Sequence, residues 1–123
     1  MYNIYNMKEK ILALVKKKYK VIGDTPWAKY PDNIVLRHVD TRKWFGLLMN
    51  IPYAKLGINK PGNVDVLNIK KDNVVIGSFL QDGILPAYHM NKASWVSVLL
   101  DGTVPEQDIE FLLNVSFELT KGK

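Results

Sequence analysis

Three β-rich runs lie close together in the middle of the chain, and they constrain its fold more than any other feature. They occupy residues 34–39, 43–51 and 64–70, and only three polar residues separate the first two. A connection of that length is typical of a β-hairpin. Residues 52–63 are rich in proline and glycine, so they cannot continue a strand and predict a long projecting loop. Since parallel neighbours need a crossover, usually helical, the runs predict an antiparallel sheet.

Side chains alternate across a strand, so each run also predicts two faces. In the second run, one face holds Phe45, Leu47, Met49 and Ile51. The opposite face holds Trp44, Gly46, Leu48 and Asn50. A fourth strand is predicted at residues 95–100, with Trp95, Ser97 and Leu99 on one side and Val96, Val98 and Leu100 on the other.

Segments with helical periodicity lie on both sides of the strands in the sequence. Apolar residues at helical spacing predict a first helix that ends before Gly23, Asp24 and Pro26; they are Ile4, Met7, Ile11, Leu14, Val15 and Tyr19. Asp72 is interpreted as the N-cap of a short helix through about Leu80, against the β-branched residues inside it.

Thr103 and Glu106 have capping-box spacing, with Pro105 in the first turn of a closing helix. The predicted buried stripe of that helix is Ile109, Leu112, Leu113 and Ser116. The element order predicts an α+β domain with a mainly antiparallel sheet and helices packed on one face. The other face is expected to be left available.

Length and composition exclude several classes. The 123 residues predict a single domain spanning residues 1–123. The absence of cysteine excludes disulfides, thiolate metal sites and a cysteine nucleophile, and it fits a reducing compartment. Neither a secretory signal nor an apolar run of about 20 residues is present, so we expect a cytoplasmic protein with no membrane partner.

The charge is concentrated at one end of the chain. The formal net charge is +5, and residues 1–20 supply all of it because the remaining basic and acidic side chains balance. A basic excess favours nucleic acid or another polyanion as partner. The alternative is that residues 16–20 simply end a helix, where lysines complement the negative pole of the helix dipole.

Motifs for catalysis are missing. The sequence has no Gly-rich phosphate loop, no G-x-S-x-G and no histidine pair at helical spacing. Its two histidines, His38 and His89, lie far apart, and Asp65, Asp72 and Asp82 fit structural duties in a strand, a cap and a turn. We therefore expect no enzyme, no catalytic residues, no cofactor and no metal site.

A polar and aromatic run, Tyr88-His89-Met90-Asn91-Lys92-x-x-Trp95, leads directly into the fourth strand. Two interpretations compete. In one, Tyr88 and Trp95 are core or rim aromatics, His89 is a satisfied histidine and Lys92 is solvated. In the other, donors beside an aromatic platform bind an anion, a base or a peptide.

Other lysines and a tryptophan extend the second interpretation to a basic and aromatic surface on the sheet and its wings. The leading hypothesis is a DNA-binding protein of weak sequence specificity, because lysine–phosphate contacts tolerate any sequence and only two arginines are present. Its predicted nucleic-acid-binding residues are Lys43, Trp44, Lys55, Lys60, Lys70, His89, Lys92 and Trp95. The alternative is a protein-interaction or chaperone-like module that binds a peptide or partner on the half-covered sheet, with an exposed apolar patch around Leu48 and Leu99.

Taken together, several short motifs resemble the MmcQ/YjbR family of small bacterial proteins. They are Lys43-Trp44-Phe45, Ile51-Pro52, Lys55-Leu56-Gly57, residues 64–70, residues 86–92 with Trp95-Val96-Ser97-Val98, and Ser116-Phe117-Glu118-Leu119. The resemblance implies an α+β fold similar to the frataxin-like CyaY architecture, with two β wings from which DNA binding has been proposed. By analogy with frataxin, it also suggests a third hypothesis, a ligand or metal site at His89.

Overall fold

The computed structural model describes residues 6–72 and 82–122. Its elements in chain order are α1 (Met7–Tyr19), β1 (Ile34–Arg37), β2 (Trp44–Pro52), a 3-10 helix (Tyr53–Leu56), β3 (Asn63–Lys70), β4 (Ile84–Pro86), β5 (Trp95–Leu99) and α2 (Glu106–Thr120). The short helix predicted to follow Asp72 falls on residues 73–81 and lies outside the described residues. Within the described ranges, no helix is both long and apolar enough to cross a bilayer.

The five strands form one sheet in the order β1-β2-β3-β5-β4, and every neighbouring pair is antiparallel. This confirms the predicted α+β class and antiparallel sheet. The three-residue strand β4 was not predicted; it pairs with β5 and forms an edge of the sheet. At the other edge, β1 and β2 form the expected hairpin.

Both helices pack on the same face of the sheet, as predicted. The starts of the helices are joined by an ion pair of 3.1 Å between Lys10 Nζ and Glu106 Oε1. Further along, the Tyr19 hydroxyl donates to Asn114 Oδ1 at 2.7 Å. The two helices therefore run in the same direction. The predicted stripe of α2 is buried and joins one core with Ile11, Val15 and the helix-facing strand residues.

The second face of the sheet is also covered, which corrects the expectation that it is left available. Val35 and Val66 on this face are fully buried. The cover comes from two short segments: Leu56 and Ile58, at the end of the 3-10 helix and just after it, and Tyr88 and Met90 before β5 pack against this second cluster. Periodicity could not predict this layer because its segments have no regular period.

A β-bulge corrects the predicted faces of β2. The register with β1 pairs Leu36 with Gly46 but Arg37 with Trp44, so Phe45 is the extra residue. Phe45 consequently joins Leu48 in the helix-side core, while Leu47, Met49 and Ile51 join the second cluster. Gly46 allows the close fit at this point, because a Cβ there would lie 2.9 Å from Leu36 Cδ1.

The helix ends agree only in part with prediction. α1 ends in a basic last turn, Lys16 to Lys18, as the helix-end interpretation of these lysines requires. The predicted capping box of α2 is wrong. Thr103 donates its hydroxyl to Asp101 instead, and α2 begins after Pro105 with no side-chain cap. The carboxylate two residues before Thr103 competes successfully for its hydroxyl.

Candidate nucleic-acid interface

Four of the eight predicted residues meet in one recess at the end of the sheet, where β2 and β5 begin and β3 ends. We call this the basic-aromatic cleft; its volume is about 420 Å³ and it is lined by Lys43, Trp44, Lys70, Trp95, Leu119 and Thr120. Strand register explains the convergence: Lys70 and Trp95 are direct cross-strand partners, and Trp44 occupies the same end of the neighbouring strand β2. The residues that line the cleft include no carboxylate.

Cations lie over both indoles of the cleft. Lys70 Nζ is 5.5 Å from the centroid of the Trp95 ring. The guanidinium carbon of Arg37 is 5.5 Å from the Trp44 ring, and its Nε donates to Asp24 Oδ2 at 2.9 Å. Such contacts fix the ring planes and the charges relative to each other. The Arg37 charge is balanced by Asp24, whereas the Lys70 side chain forms no ion pair within the described residues.

The end of α2 forms the third wall of the cleft. Lys43 Nζ donates to the Gly122 carbonyl at 3.3 Å, just beyond the helix. Behind the wall, buried His38 contacts the Phe45 and Phe117 rings, and its Nε2 lies 2.8 Å from Thr120 Oγ1. The Thr120 hydroxyl donates a hydrogen bond to the Ser116 carbonyl at 2.8 Å, so its oxygen accepts from the Nε2–H of His38. Burial, against the opposing charges of Asp40 and Glu118, lowers the pKa of His38.

The remaining predicted residues lie elsewhere, so the hypothesis of one continuous basic surface is corrected. Lys55 and Lys92 line a separate cleft of about 390 Å³ with Tyr88 and apolar residues. Lys60 Nζ lies 4.9 Å from the Tyr53 ring. Lys55 belongs to the 3-10 helix that follows the far end of β2, whereas Lys43 and Trp44 stand at its start. The length of β2 therefore separates them.

The run of residues 88–95 is anchored by a buried polar triangle. Ser97 Oγ accepts from the Tyr88 amide at 2.9 Å, and Asn68 Nδ2 donates to the Tyr88 carbonyl at 2.9 Å. The Ser97 hydroxyl donates to Asn68 Oδ1, which closes the triangle. Ser97 and Asn68 are fully buried on β5 and β3. This geometry holds the start of the loop that leads to Trp95, and the pairing of Trp95 with Lys70 places its side chain in the lining of the cleft.

Within that loop, His89 has a left-handed backbone with a φ of 60°, and its ring lies 4.0 Å from that of Tyr88. The Asn91 side chain accepts from the Ala93 amide at 2.8 Å, and the Asn91 carbonyl accepts from the Trp95 amide at 2.9 Å. Tyr88 packs against the second cluster, as the structural interpretation of the run proposed, and Asn91 holds the loop through its own hydrogen bonds. His89 and Lys92 are exposed.

A second hydrogen-bonded site lies beside the 3-10 helix. The Tyr53 hydroxyl donates to Asp101 Oδ2 at 2.6 Å, and this bond together with burial raises the pKa of Tyr53 to about 12. Burial opposes the charge of Asp101, but hydrogen bonds from Thr103 and Tyr53, with Lys60 nearby, lower the pKa of its carboxyl overall. Lys60 therefore faces an acid, and its charge is partly balanced there.

Comparison with known proteins identifies the family. The family model described as YjbR matches residues 16–119. The chain belongs to the YjbR family. Its relatives include the uncharacterized protein YyaQ of Bacillus subtilis (strain 168), which is 45% identical over 116 residues, 93% of this chain and 98% of YyaQ. This confirms the resemblance that the sequence motifs indicated.

Solved structures agree with the family and with the fold. A crystal structure of a Pseudomonas syringae protein has a TM-score of 0.87 and 43% identity, over 93% of this chain and 98% of that one. A Deinococcus radiodurans protein, at 24% identity, shares the fold alone, with a TM-score of 0.68 over 91% of this chain and 76% of that one. The YjbR match spans all eight predicted residues, including both sides of the basic-aromatic cleft.

The structure also tests the predicted apolar patch and bears on the hypothesis of a metal site. Leu48 and Leu99 are 1% and 4% exposed, so the apolar patch predicted around them is wrong. In residues 6–72 and 82–122, no three His, Asp or Glu side chains are grouped so as to hold a metal ion. Sequence reasoning missed Asn68, Ser97 and the His38 contact; polar residues inside apolar strand runs were the available signal for the first two.

Proposed function

We propose that this YjbR protein is a non-enzymatic DNA-binding protein of weak sequence specificity that contacts DNA through the basic-aromatic cleft. The observation that supports this most is the juxtaposition of Lys70 with Trp95, in a recess whose lining includes Lys43 but no acid. The Lys70 ammonium group, which forms no ion pair within the described residues, attracts a phosphate, and the attraction does not depend on base sequence.

Weak specificity follows from the side chains that line the cleft. Discrimination between base pairs relies most often on bidentate arginine contacts. No arginine lines the cleft, and Arg37 nearby is held by Asp24 and by the Trp44 ring. Lysine charges contact phosphates, and indole faces stack with any base, so neither depends on sequence. The proposal therefore places contact at the cleft, and the wings with Lys55 and Lys60 have a lesser part.

A peptide-binding function on the sheet finds no support in the structure. It would need an accessible apolar sheet face, and the apolar cluster of the second face is buried under the segments that follow β2 and precede β5.

The test is a titration of labelled DNA by fluorescence anisotropy between 50 and 200 mM salt. Non-specific affinity of this kind lies at roughly 10⁻⁴ to 10⁻⁶ M and falls steeply with salt. Lys70→Gln should weaken binding uniformly across sequences and reduce the salt slope by about one. Lys16→Gln is the matched control, because it also removes one charge and lines a groove that shares no residue with the cleft.

Absence of binding at the lowest salt would refute the proposal. Equal losses for Lys70→Gln and Lys16→Gln would also refute it, since they would show diffuse attraction by net charge and no role for the cleft.

A further inference from the structure

We propose that the basic-aromatic cleft takes an unpaired base of a DNA strand, so that the protein binds single-stranded DNA in preference to duplex. This inference rests on the proposed function and specifies the form of DNA that the same site accepts. In a duplex the base faces are stacked on one another and only phosphates and groove edges are presented. The two indoles of the cleft, Trp44 and Trp95, are half-buried in a recess, where only a base that has left its stack can contact them.

The spacing of the strands fits one inserted ring. Trp44 and Trp95 stand at the same end of β2 and β5, and β3 lies between these two strands. Two inter-strand steps separate them by roughly 10 Å. An aromatic ring between two others needs about two contact distances of 3.5–4.0 Å each. The backbone positions of the two tryptophans thus leave room for one ring between their side chains, and Lys70 is on the strand between them.

The charge next to the indoles is placed to bind the same nucleotide. Lys70 Nζ is 5.5 Å from the Trp95 ring centroid, so a phosphate on Lys70 brings its own base beside the indole. Sites that bind single strands without sequence preference combine a positive groove with aromatic stacking platforms. The anchoring of the loop before Trp95 by Asn68 and Ser97 keeps this arrangement in place before binding.

The experiment compares probes of one length on the wild-type protein: a single strand, the matching duplex, and a strand that retains its phosphates but lacks bases. Stacking one base should make the normal strand bind about 5- to 150-fold more tightly than the abasic strand. We expect at least about fivefold preference for the single strand over the duplex on the same basis. Equal affinity for the normal and abasic strands would overturn the inference, as would equal or tighter binding of the duplex.

Variants assign the effect to the cleft. Trp95→Leu should lower the affinity for the normal strand towards that for the abasic strand, with Trp44 as the remaining platform, and leave the affinity for the abasic strand nearly unchanged. Tyr30→Leu is the matched control, since Tyr30 is 58% exposed and does not line the cleft. If Trp95→Leu does not fold, tryptophan fluorescence of Trp27→Phe, in which only the cleft indoles remain, should be quenched by the normal strand and not by the abasic one. Unchanged fluorescence would contradict base stacking.

Failure of the proposed DNA-binding function and failure of the unpaired-base inference give different results. If none of the DNA probes binds at low salt, the proposed DNA-binding function fails. If all bind equally and with steep salt dependence, that function stands and the unpaired-base inference fails.

Discussion

Removal of the Ser97 hydroxyl provides a sharp test of how the loop before β5 is held. Ser97→Ala deletes the acceptor of the Tyr88 amide and the donor to Asn68 Oδ1 in one change. Asn68 is fully buried, so its side-chain oxygen Oδ1 is left without that donor, at a cost of roughly 1–3 kcal/mol. Tyr88 is only half-buried, and water can replace part of what its amide loses.

The expected shift in melting temperature follows from chain length. Unfolding entropy of about 2.1 cal/mol/K per residue gives roughly 0.26 kcal/mol/K for 123 residues. A loss of about 1–3 kcal/mol therefore lowers Tm by roughly 4–12 °C. Urea unfolding at neutral pH measures the same loss independently. In addition, hydrogen exchange of residues 88–95 should accelerate more than exchange in α2, because the triangle fixes that loop directly.

Ser94→Ala is the matched control, since the hydrogen bonds of Ser94 run through its backbone amide and carbonyl. It should stay within about 0.5 kcal/mol of the wild type, as typical surface substitutions do. In a double-mutant cycle, Asn68→Ala with Ser97→Ala should cost less than the sum of the single changes because the two residues share one network. If Ser97→Ala is as stable as Ser94→Ala and exchange is unchanged, the triangle does not anchor the loop.

Two further predictions concern pH. Burial lowers the pKa of His38 below its usual 6.5, so the unfolded chain binds the proton more readily than the folded protein. The free energy of unfolding should therefore fall as pH drops below about 6.5 towards the folded pKa. His38→Gln should flatten this dependence in urea titrations at several pH values. The hydrogen bond to Asp101 and burial raise the pKa of Tyr53 to about 12, so the free energy of unfolding should fall as pH rises from about 10 to 12. Tyr53→Phe should lose about 1 kcal/mol of stability at neutral pH and should weaken this alkaline dependence.

Regular periodicity predicted the framework of this fold because the framework consists of regular elements. Strands β1, β2, β3 and β5 and the stripe of α2 follow from patterns of period two or 3.6. The bulge at Phe45 was not predictable in this way, because one inserted residue leaves the apolar composition unchanged and shifts only the phase. The same holds for the second face, which is covered by Leu56 and Tyr88 from segments without a period.

The candidate site was predicted in its residue types more than in its geometry. Lys70 and Trp95 are register partners that a strand alignment places together, and Trp44 follows from the hairpin. Lys55 and Lys60 were grouped with them on charge alone. Their distance from the cleft depends on the direction in which β2 runs and on the path of residues 53–62, neither of which charge patterning encodes.

The position of α2 limits where a phosphate can bind within the cleft. Leu119 and Thr120 line it from the last turn of α2, so the negative pole of the helix dipole faces this wall. Lys43 donates to the Gly122 carbonyl beyond that turn, and part of its charge is used to offset the pole. Lys70 also lies beside this end of α2, because its amide donates to Ser116 Oγ at 2.9 Å and it lines the cleft with Leu119 and Thr120. An anion in this cleft would therefore rely on the positive charges of Lys43 and Lys70 to offset the helix terminus, and Lys70 lies beside the Trp95 indole.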